Sequence, residues 1–290
     1  MSRLRELLGS DKLLVAPLVF NALTARLADE AGFQALYLGG GSMGYVKAVT
    51  EANLTLTEMV EAGLEIRSVC RVPLILDGAC GWGDAMHLRR TIALSEAAGF
   101  AAIEIEDQLA PKRAHHHVGI EHAIPAEMMV AKIREAVAAR SDPDFVIIAR
   151  TNTARETGLD EALRRGEAYR RAGADMLFVL PKRSEDARTI GERLGGPLMY
   201  MTMGGGLASV GMSVEELHGL GYRLLVDPAT PLLAAYAAMR ASYRALAAGD
   251  ADPTAATPQA AAEIQKLIHH TIGLETLLDI ERRTVEAGQS

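Results

Sequence analysis

Aromatic residues are scarce in this chain: five Phe, seven Tyr and one Trp make up 4% of 290 residues. Cysteine is scarcer still, with two. Cys70 and Cys80 flank the apolar run Val72 to Leu76, which as an extended strand holds them too far apart for a disulfide, so free thiols are expected. No stretch of 18 uninterrupted apolar residues occurs, and MSRLRELLGSDKLLVAP contains no long apolar core followed by a small-residue cleavage site. A cytoplasmic protein without membrane partners is therefore expected. A basic excess is also missing: 30 Lys and Arg stand against 37 Asp and Glu, a net charge of −7. Nothing there would neutralise phosphates along a duplex, which argues against nucleic acid as a partner.

What the chain does have is aliphatic: 49% of it is hydrophobic, carried by Ala, Leu, Val, Ile and Met. That composition favours helices packed on aliphatic strands within a globular fold. A punctuation recurs in which a helix-period stretch ends in Ala-Gly or Leu-Gly and an aliphatic run follows within a few residues. It occurs at Gly32 before Ala35 to Leu38, at Gly99 before Ala101 to Ile105, and at Gly173 before Met176 to Leu180. It returns at Gly195 before Pro197 to Met201 and at Gly221 before Arg223 to Val226. Glycine just past a helix supplies a left-handed cap, and a short unbroken aliphatic run is the mark of a strand buried on both faces. Leu14 to Leu18, Pro73 to Leu76 and Phe145 to Ala149 bring the candidate strands to eight. Between them, stretches such as LTARLADEA and MMVAKIREAVAA repeat their apolar residues at three and four.

Strict alternation of strand and helix implies parallel strands with right-handed crossovers, and eight units close a barrel. The expected fold is an α/β class (β/α)8 barrel over residues 1–248. An open doubly wound sheet is the competitor, but the first βα turn has no G-x-G-x-x-G fingerprint. After Ala248 the segment GDADPTAATPQ reads as a linker to a helical stretch, Ala260 to Ala287, which would cap the barrel or pack on another subunit.

Catalytic groups of such barrels stand at the C-terminal ends of strands. Here those ends carry Asp77, then Glu104, Glu106 and Asp107, then Arg150, Thr151 and Asn152, and finally Asp227. Arg150 is placed to meet a carboxylate bidentately. Asp77 and Glu106, on adjacent strands, suit Mg2+, which takes one or two carboxylates and keeps several waters. Glu104 and Glu106 share a face by alternation, and two carboxylates on one buried face need a cation or a basic partner. Gly39-Gly40-Gly41 and Gly204-Gly205-Gly206 follow strands two and seven, where backbone N–H groups approach anions, although simple loop flexibility explains them equally well. Lys112, Arg113 and the run His115-His116-His117 read as a lid over a bound anion rather than a zinc site, because three consecutive His cannot all face one metal.

The run Ile103-Glu104-Ile105-Glu106-Asp107-Gln108 with Pro111-Lys112-Arg113 resembles the signature of the isocitrate lyase / phosphoenolpyruvate mutase superfamily. Ala149-Arg150-Thr151-Asn152 and Gly158-Leu159-Asp160-Glu161-Ala162 with Arg165 and Tyr169 are similar to it as well. The resemblance covers about Ala16 to Tyr243. It implies a (β/α)8 barrel whose eighth helix is exchanged between subunits, a homotetramer built as a dimer of dimers, Mg2+, and a small 2-oxo acid or its enolate as ligand. It also implies making or breaking the bond beta to a carboxylate. Matched by position, Asp77 and Glu106 become metal-binding carboxylates, Arg150 the carboxylate-binding arginine and Lys112 the gating-loop lysine. Substrate contacts fall on Gly39, Gly40, Arg150, Asn152 and Tyr200.

Several positions depart from the family pattern. Ala79 stands where the family has a second metal-associated Asp, and Ala114 where the lyases carry an acid/base Cys. Gly39 replaces a Ser, the Asp expected before the next helix falls at Thr50 or Glu51, and the Asn expected after strand seven falls near Tyr200. These changes argue against a Cys-dependent lyase. They favour a Mg2+-assisted decarboxylase or carbon–carbon lyase for an oxaloacetate-like di- or tricarboxylic acid, with His116 as proton donor. A diverged barrel that binds an anionic metabolite without cleaving it is the alternative, and a phosphonopyruvate-type C–P enzyme ranks third.

Overall fold

The structure, a computed structural model, describes residues 4–202 and 204–286. Eight strands form one parallel sheet: β1 (Leu14–Pro17), β2 (Leu36–Leu38), β3 (Leu74–Asp77), β4 (Ala102–Glu106), β5 (Val146–Thr151), β6 (Met176–Val179), β7 (Leu198–Met201) and β8 (Tyr222–Asp227). Their order is β1-β8-β7-β6-β5-β4-β3-β2. The two ends of that list meet through a parallel bridge between Leu18 and Tyr37, and Val19 N–H donates to the Tyr37 carbonyl at 2.9 Å. This is the (β/α)8 barrel that the alternation predicts.

Each strand buries both faces, which is why the aliphatic runs are unbroken. Ile75, Ala102, Ile148, Phe178, Met199 and Leu224 belong to one buried cluster inside the barrel, while Leu76, Ile103, Ile147, Leu177, Tyr200 and Leu225 belong to the other, between strands and helices. The glycine punctuation works as expected. Gly99 takes φ 79 just past the helix Ala85–Ala97, a backbone conformation that a Cβ disfavours. Cys70 and Cys80 are free and buried.

Register then decides which polar residues meet. Asp77 pairs with Glu104, Glu106 with Arg150, and Arg150 with Phe178 across consecutive strands. Period-two alternation points Glu104, Glu106 and Arg150 to the interior and Ile103, Ile105 and Ala149 to the helices.

The chain divides into two compact units at Thr230/Pro231. The helix Thr230–Ala248, counted with the barrel up to residue 248 in the sequence pattern, thus groups almost wholly with the helices Pro258–Thr271 and Leu274–Thr284. The expected end of that stretch, Ala287, lies outside the described residues. The second unit exposes Tyr236, Met239, Tyr243 and Leu246. No described helix is long and apolar enough to cross a membrane.

The helix Leu56–Val69 packs tightly at Gly63 against Phe100, which lies between the helix Ala85–Ala97 and β4: an added Cβ would fall 2.3 Å from Phe100 Cζ. Helix propensity alone makes Gly→Ala favourable by roughly 0.5–1 kcal/mol. Overpacking opposes it by about 1–3 kcal/mol, so Gly63→Ala is expected to destabilise the fold. Urea denaturation measures the sign, and a stabilised variant would show that Phe100 gives way freely.

Candidate active site

At the C-terminal mouth of the barrel, Glu51, Asp77, Glu104 and Glu106 are all buried. Charge of one sign at this density requires compensation from within the protein. Arg150 provides it on one side: Nη1 donates to Glu104 Oε1 at 2.6 Å, and Nε lies 3.4 Å from Glu106 Oε2. The guanidinium carbon stands 5.0 Å over the Phe178 ring, a cation–π contact that fixes its plane. Lys112 provides compensation on the other side, pairing with Glu51 and lying 2.5 Å from Glu106 Oε1. Glu106 is thus flanked by two cations.

Backbone groups hold Asp77. Its Oδ2 accepts from Gly40 N–H and its Oδ1 from Ala79 N–H, each at 3.0 Å. A Cβ on Gly40 would fall 3.3 Å from Asp77 Oδ2, and one on Gly41 3.1 Å from Glu51 Oε2. The glycine turn therefore lets the chain pass close against two carboxylates, and the Gly40 amide is already used by the protein itself. Gly39 caps the helix Gly40–Val46 and packs beside the Tyr37 ring.

The electrostatics follow burial and neighbours. Burial raises Asp77, and the charge of Glu51 adds to it. Burial also opposes ionisation of Glu106 and Glu51, yet Glu106 is lowered by Lys112 and Arg150, and Glu51 is held well below the carboxylate range by His116 and Lys112. Glu104 is pushed up to about 7, because burial and the nearby Asp77 charge outweigh the Arg150 contact. Tyr37 Oη donates to its other oxygen, Oε2, at 3.2 Å. Burial would lower Lys112, but the three carboxylates Glu106, Glu51 and Asp77 raise it.

His116 Nδ1 lies 2.8 Å from the Arg113 carbonyl and Nε2 3.2 Å from Glu51 Oε2, so both ring nitrogens face acceptors. Burial disfavours its charged form, but the Glu51 contact outweighs burial and raises its pKa. The other lid histidines turn elsewhere. His117 meets Tyr45 and Thr50 at 3.1 and 2.7 Å, and His115 meets His122 at 3.0 Å.

Not every polar strand end joins the cluster. Asp107 turns to the helix layer and accepts from Arg165 at 2.9 Å and Tyr169 at 2.7 Å. Asp227 accepts from the Thr230 amide at 2.9 Å at the start of the following helix. Tyr200, expected at the substrate, lies on the outer face, edge-on to Tyr222 with ring centroids 5.6 Å apart, because its position in β7 alternates away from the barrel axis. Asn152 braces the protein's own groups. Its Oδ1 accepts from Arg150 Nε at 2.9 Å, and its Nδ2 donates to Glu106 and Glu121 at 3.2 Å. Tyr37 and Glu121 are members that strand-end reading passes over. Alternation along Leu36-Tyr37-Leu38 would have found the first; Glu121, in a loop without periodicity, carries no such signal.

Asp77, Glu106 and Glu51 are hard oxygen donors of the kind Mg2+ prefers. Glu106 Oε1 is buried and receives no aligned hydrogen bond, which fits a cation ligand. Among the described residues no three His, Cys, Asp or Glu side chains converge as a ready-made metal site, and Lys112 supplies the positive charge between Glu51 and Glu106. A metal carried by two carboxylates and water remains compatible with that donor set.

Charged groups converging at the C-terminal mouth of a (β/α)8 barrel stand where enzymes of this fold carry their active sites. The family model described as phosphoenolpyruvate phosphomutase matches residues 4–247, and the chain belongs to that family. It is 36% identical over 283 residues to 2,3-dimethylmalate lyase of Eubacterium barkeri, covering 97% of this chain and 96% of that protein. It is 37% identical to oxaloacetate decarboxylase of Pseudomonas putida (strain GB-1), covering 83% of this chain and 82% of that protein. The solved structure of phosphonopyruvate hydrolase with oxalate and Mg2+ superposes with a TM-score of 0.82 at 29% identity, covering 97% of this chain and 98% of that one.

Glu104 generates a prediction whose sign follows from its raised value of about 7 against the ordinary 4.5. Between those two pH values the folded chain holds the proton that the unfolded chain has lost, so this group's contribution to stability declines as pH rises through that window. Glu104→Gln removes the titration, and stability measured by urea denaturation from pH 5 to 8 should vary less steeply than in the unmodified chain. Identical slopes would show that Glu104 ionises normally.

Proposed function

We propose that this protein is a Mg2+-assisted carbon–carbon lyase or decarboxylase for small 2-oxo or 2-hydroxy di- and tricarboxylic acids. One observation carries the reading: Arg150 and Lys112 stand on opposite sides of Glu106, 3.4 and 2.5 Å from its two oxygens, at the mouth of the barrel. Carbon–carbon lyase activity is supported by the match to 2,3-dimethylmalate lyase over nearly the full length of both chains. The oxaloacetate decarboxylase match supports an oxo-dicarboxylate among the substrates.

Arg150 is the group to hold a substrate carboxylate, since its planar fork is already oriented by Glu104, Asn152 and Phe178. Asp77 and Glu106 are the residues that would hold Mg2+, with Glu51 beside them. When bound, Mg2+ supplies an electron sink by polarising the 2-oxo carbonyl. Lys112 extends from the loop and brings a second positive charge to the same anion. The proton required when the carbon–carbon bond breaks is assigned to His116, whose ring lies between Glu51 and the Arg113 carbonyl. Glu51 favours the imidazolium and so keeps that proton available near neutral pH. Ala114 in place of the lyases' Cys is compatible with this route, which needs no thiol. The exposed apolar side chains of Thr230–Ala248 suit assembly into the expected homotetramer.

Oxaloacetate, 2,3-dimethylmalate and 2-methylisocitrate should be assayed with Mg2+ and after chelation, with phosphonopyruvate as a competing substrate. Chelation is expected to abolish turnover. Arg150→Lys should lower kcat/KM by roughly 10- to 100-fold, the loss expected for a charge-assisted bidentate contact, and Glu106→Gln should weaken Mg2+ dependence. Metal-independent turnover that is unchanged by Glu106→Gln would overturn the reading.

A further inference from the structure

The run His115-His116-His117 stands out in the sequence, and the proposed chemistry uses only its middle member. His116 meets Glu51, while His117, stacked on it with ring centroids 4.0 Å apart, meets Tyr45 and Thr50. His115 is bonded instead to the stem of its own loop. Its Nδ1 lies 3.0 Å from Nε2 of His122, with the ring centroids 5.3 Å apart.

The backbone presents both rings at fixed places. The stem is a short antiparallel ladder: Gln108 bridges Ala123, Leu109 N–H donates to the His122 carbonyl at 2.9 Å, and Ile124 N–H donates to the Asp107 carbonyl at 2.9 Å. The His122 N–H is taken by Gln108 Oε1 at 2.8 Å. At the tip, the 3-10 turn Ala114–Val118 ends at Gly119, whose φ of 76 reverses the chain, and Ile120 N–H donates to the His115 carbonyl at 3.2 Å. Two imidazoles on one metal, each about 2.0–2.1 Å from it, have donor nitrogens roughly 2.9 Å apart at a right angle and roughly 3.4 Å apart at a tetrahedral one. The 3.0 Å between His115 and His122 falls in that interval. Without a metal, one ring donates its N–H to the other. A metal replaces that shared proton, and each ring then carries its own proton on the opposite nitrogen.

We propose that His115 and His122 chelate a borderline transition-metal ion such as Zn2+ or Cu2+, with water completing its coordination. Three consecutive histidines cannot face one metal, but one of them can share it with a partner seven residues on. The site is chemically distinct from the carboxylates at the barrel mouth, because imidazole nitrogen suits Zn2+, Ni2+ or Cu2+ whereas Mg2+ prefers oxygen. His115 stands on the tip of the loop and His122 on its stem, so the metal ties tip to stem and stiffens the segment that carries Lys112 and His116. The site itself does not depend on the proposed reaction; only the use made of a stiffened loop does.

The test titrates Zn2+ calorimetrically into the full chain in the presence of excess Mg2+, which saturates oxygen-donor sites. One equivalent of Zn2+ is expected to bind. His115→Asn and His122→Asn should each weaken it by at least the roughly 10- to 100-fold that losing a mere supporting residue costs at a metal site, and His117→Asn should leave it unchanged. Hydrogen exchange read by mass spectrometry should show Zn2+ slowing the amides of residues 114–122 in the unmodified chain but not in His115→Asn. No binding, or binding that survives both His115→Asn and His122→Asn, overturns the site. Loss in only one of those two variants rules out a chelate, and binding without slower exchange rules out the clamp. None of these readouts involves a substrate, so turnover of an oxo acid, or its absence, bears on the lyase reading alone.

Discussion

The buried charge balance at the barrel mouth is the constraint on which the rest of the site depends. Glu51, Asp77, Glu104 and Glu106 are placed out of water, and their mutual repulsion is contained because Arg150 and Lys112 stand among them. Truncating one partner of such a pair leaves an uncompensated buried charge, typically a loss of 3–5 kcal/mol. Arg150 and Lys112 therefore have a structural role in holding these carboxylates together. A ligand carboxylate at Arg150 would compete with carboxylates already present, and a divalent cation at Glu106 would compete with the Lys112 ammonium.

The barrel makes this balance possible by dividing the work between its ends and faces. Interior aliphatic residues below the mouth, such as Ile75, Ile148 and Met176, exclude water beneath the cluster and so strengthen each charge interaction above it. Rigid strands place Asp77, Glu104, Glu106 and Arg150, while the loop that follows β4 carries Lys112 and His116. Ala79 lines a cavity that adjoins this charged cluster at Glu51 and Lys112.

Much of this was legible along the chain. The eight strands could be read because each is an aliphatic run buried on both faces and five of them follow a helix that ends at a glycine, both of which are local signals. Asp77, Glu106 and Arg150 were legible for the same reason, being the polar residues that end aliphatic runs. Tyr200 was misread because matching a family position ignores the strand's own alternation, which sends its ring outward to Tyr222. Asp107, one residue past Glu106, faces Arg165 and Tyr169 by that same alternation.

The sequence by itself determined the fold, the sign of the net charge and the strand ends at which chemistry stands, since each depends on local periodicity and composition. Only the tertiary structure decided which charges meet. Glu51 and Lys112 are 61 residues apart and join through two loops that have no period to read. Glu121 and Tyr37 become members of the site through loop closure and strand register, which are set by the packing of the whole barrel. The cavity beside Ala79 is likewise decided there, because an absence of side chain becomes a space only when its neighbours surround it.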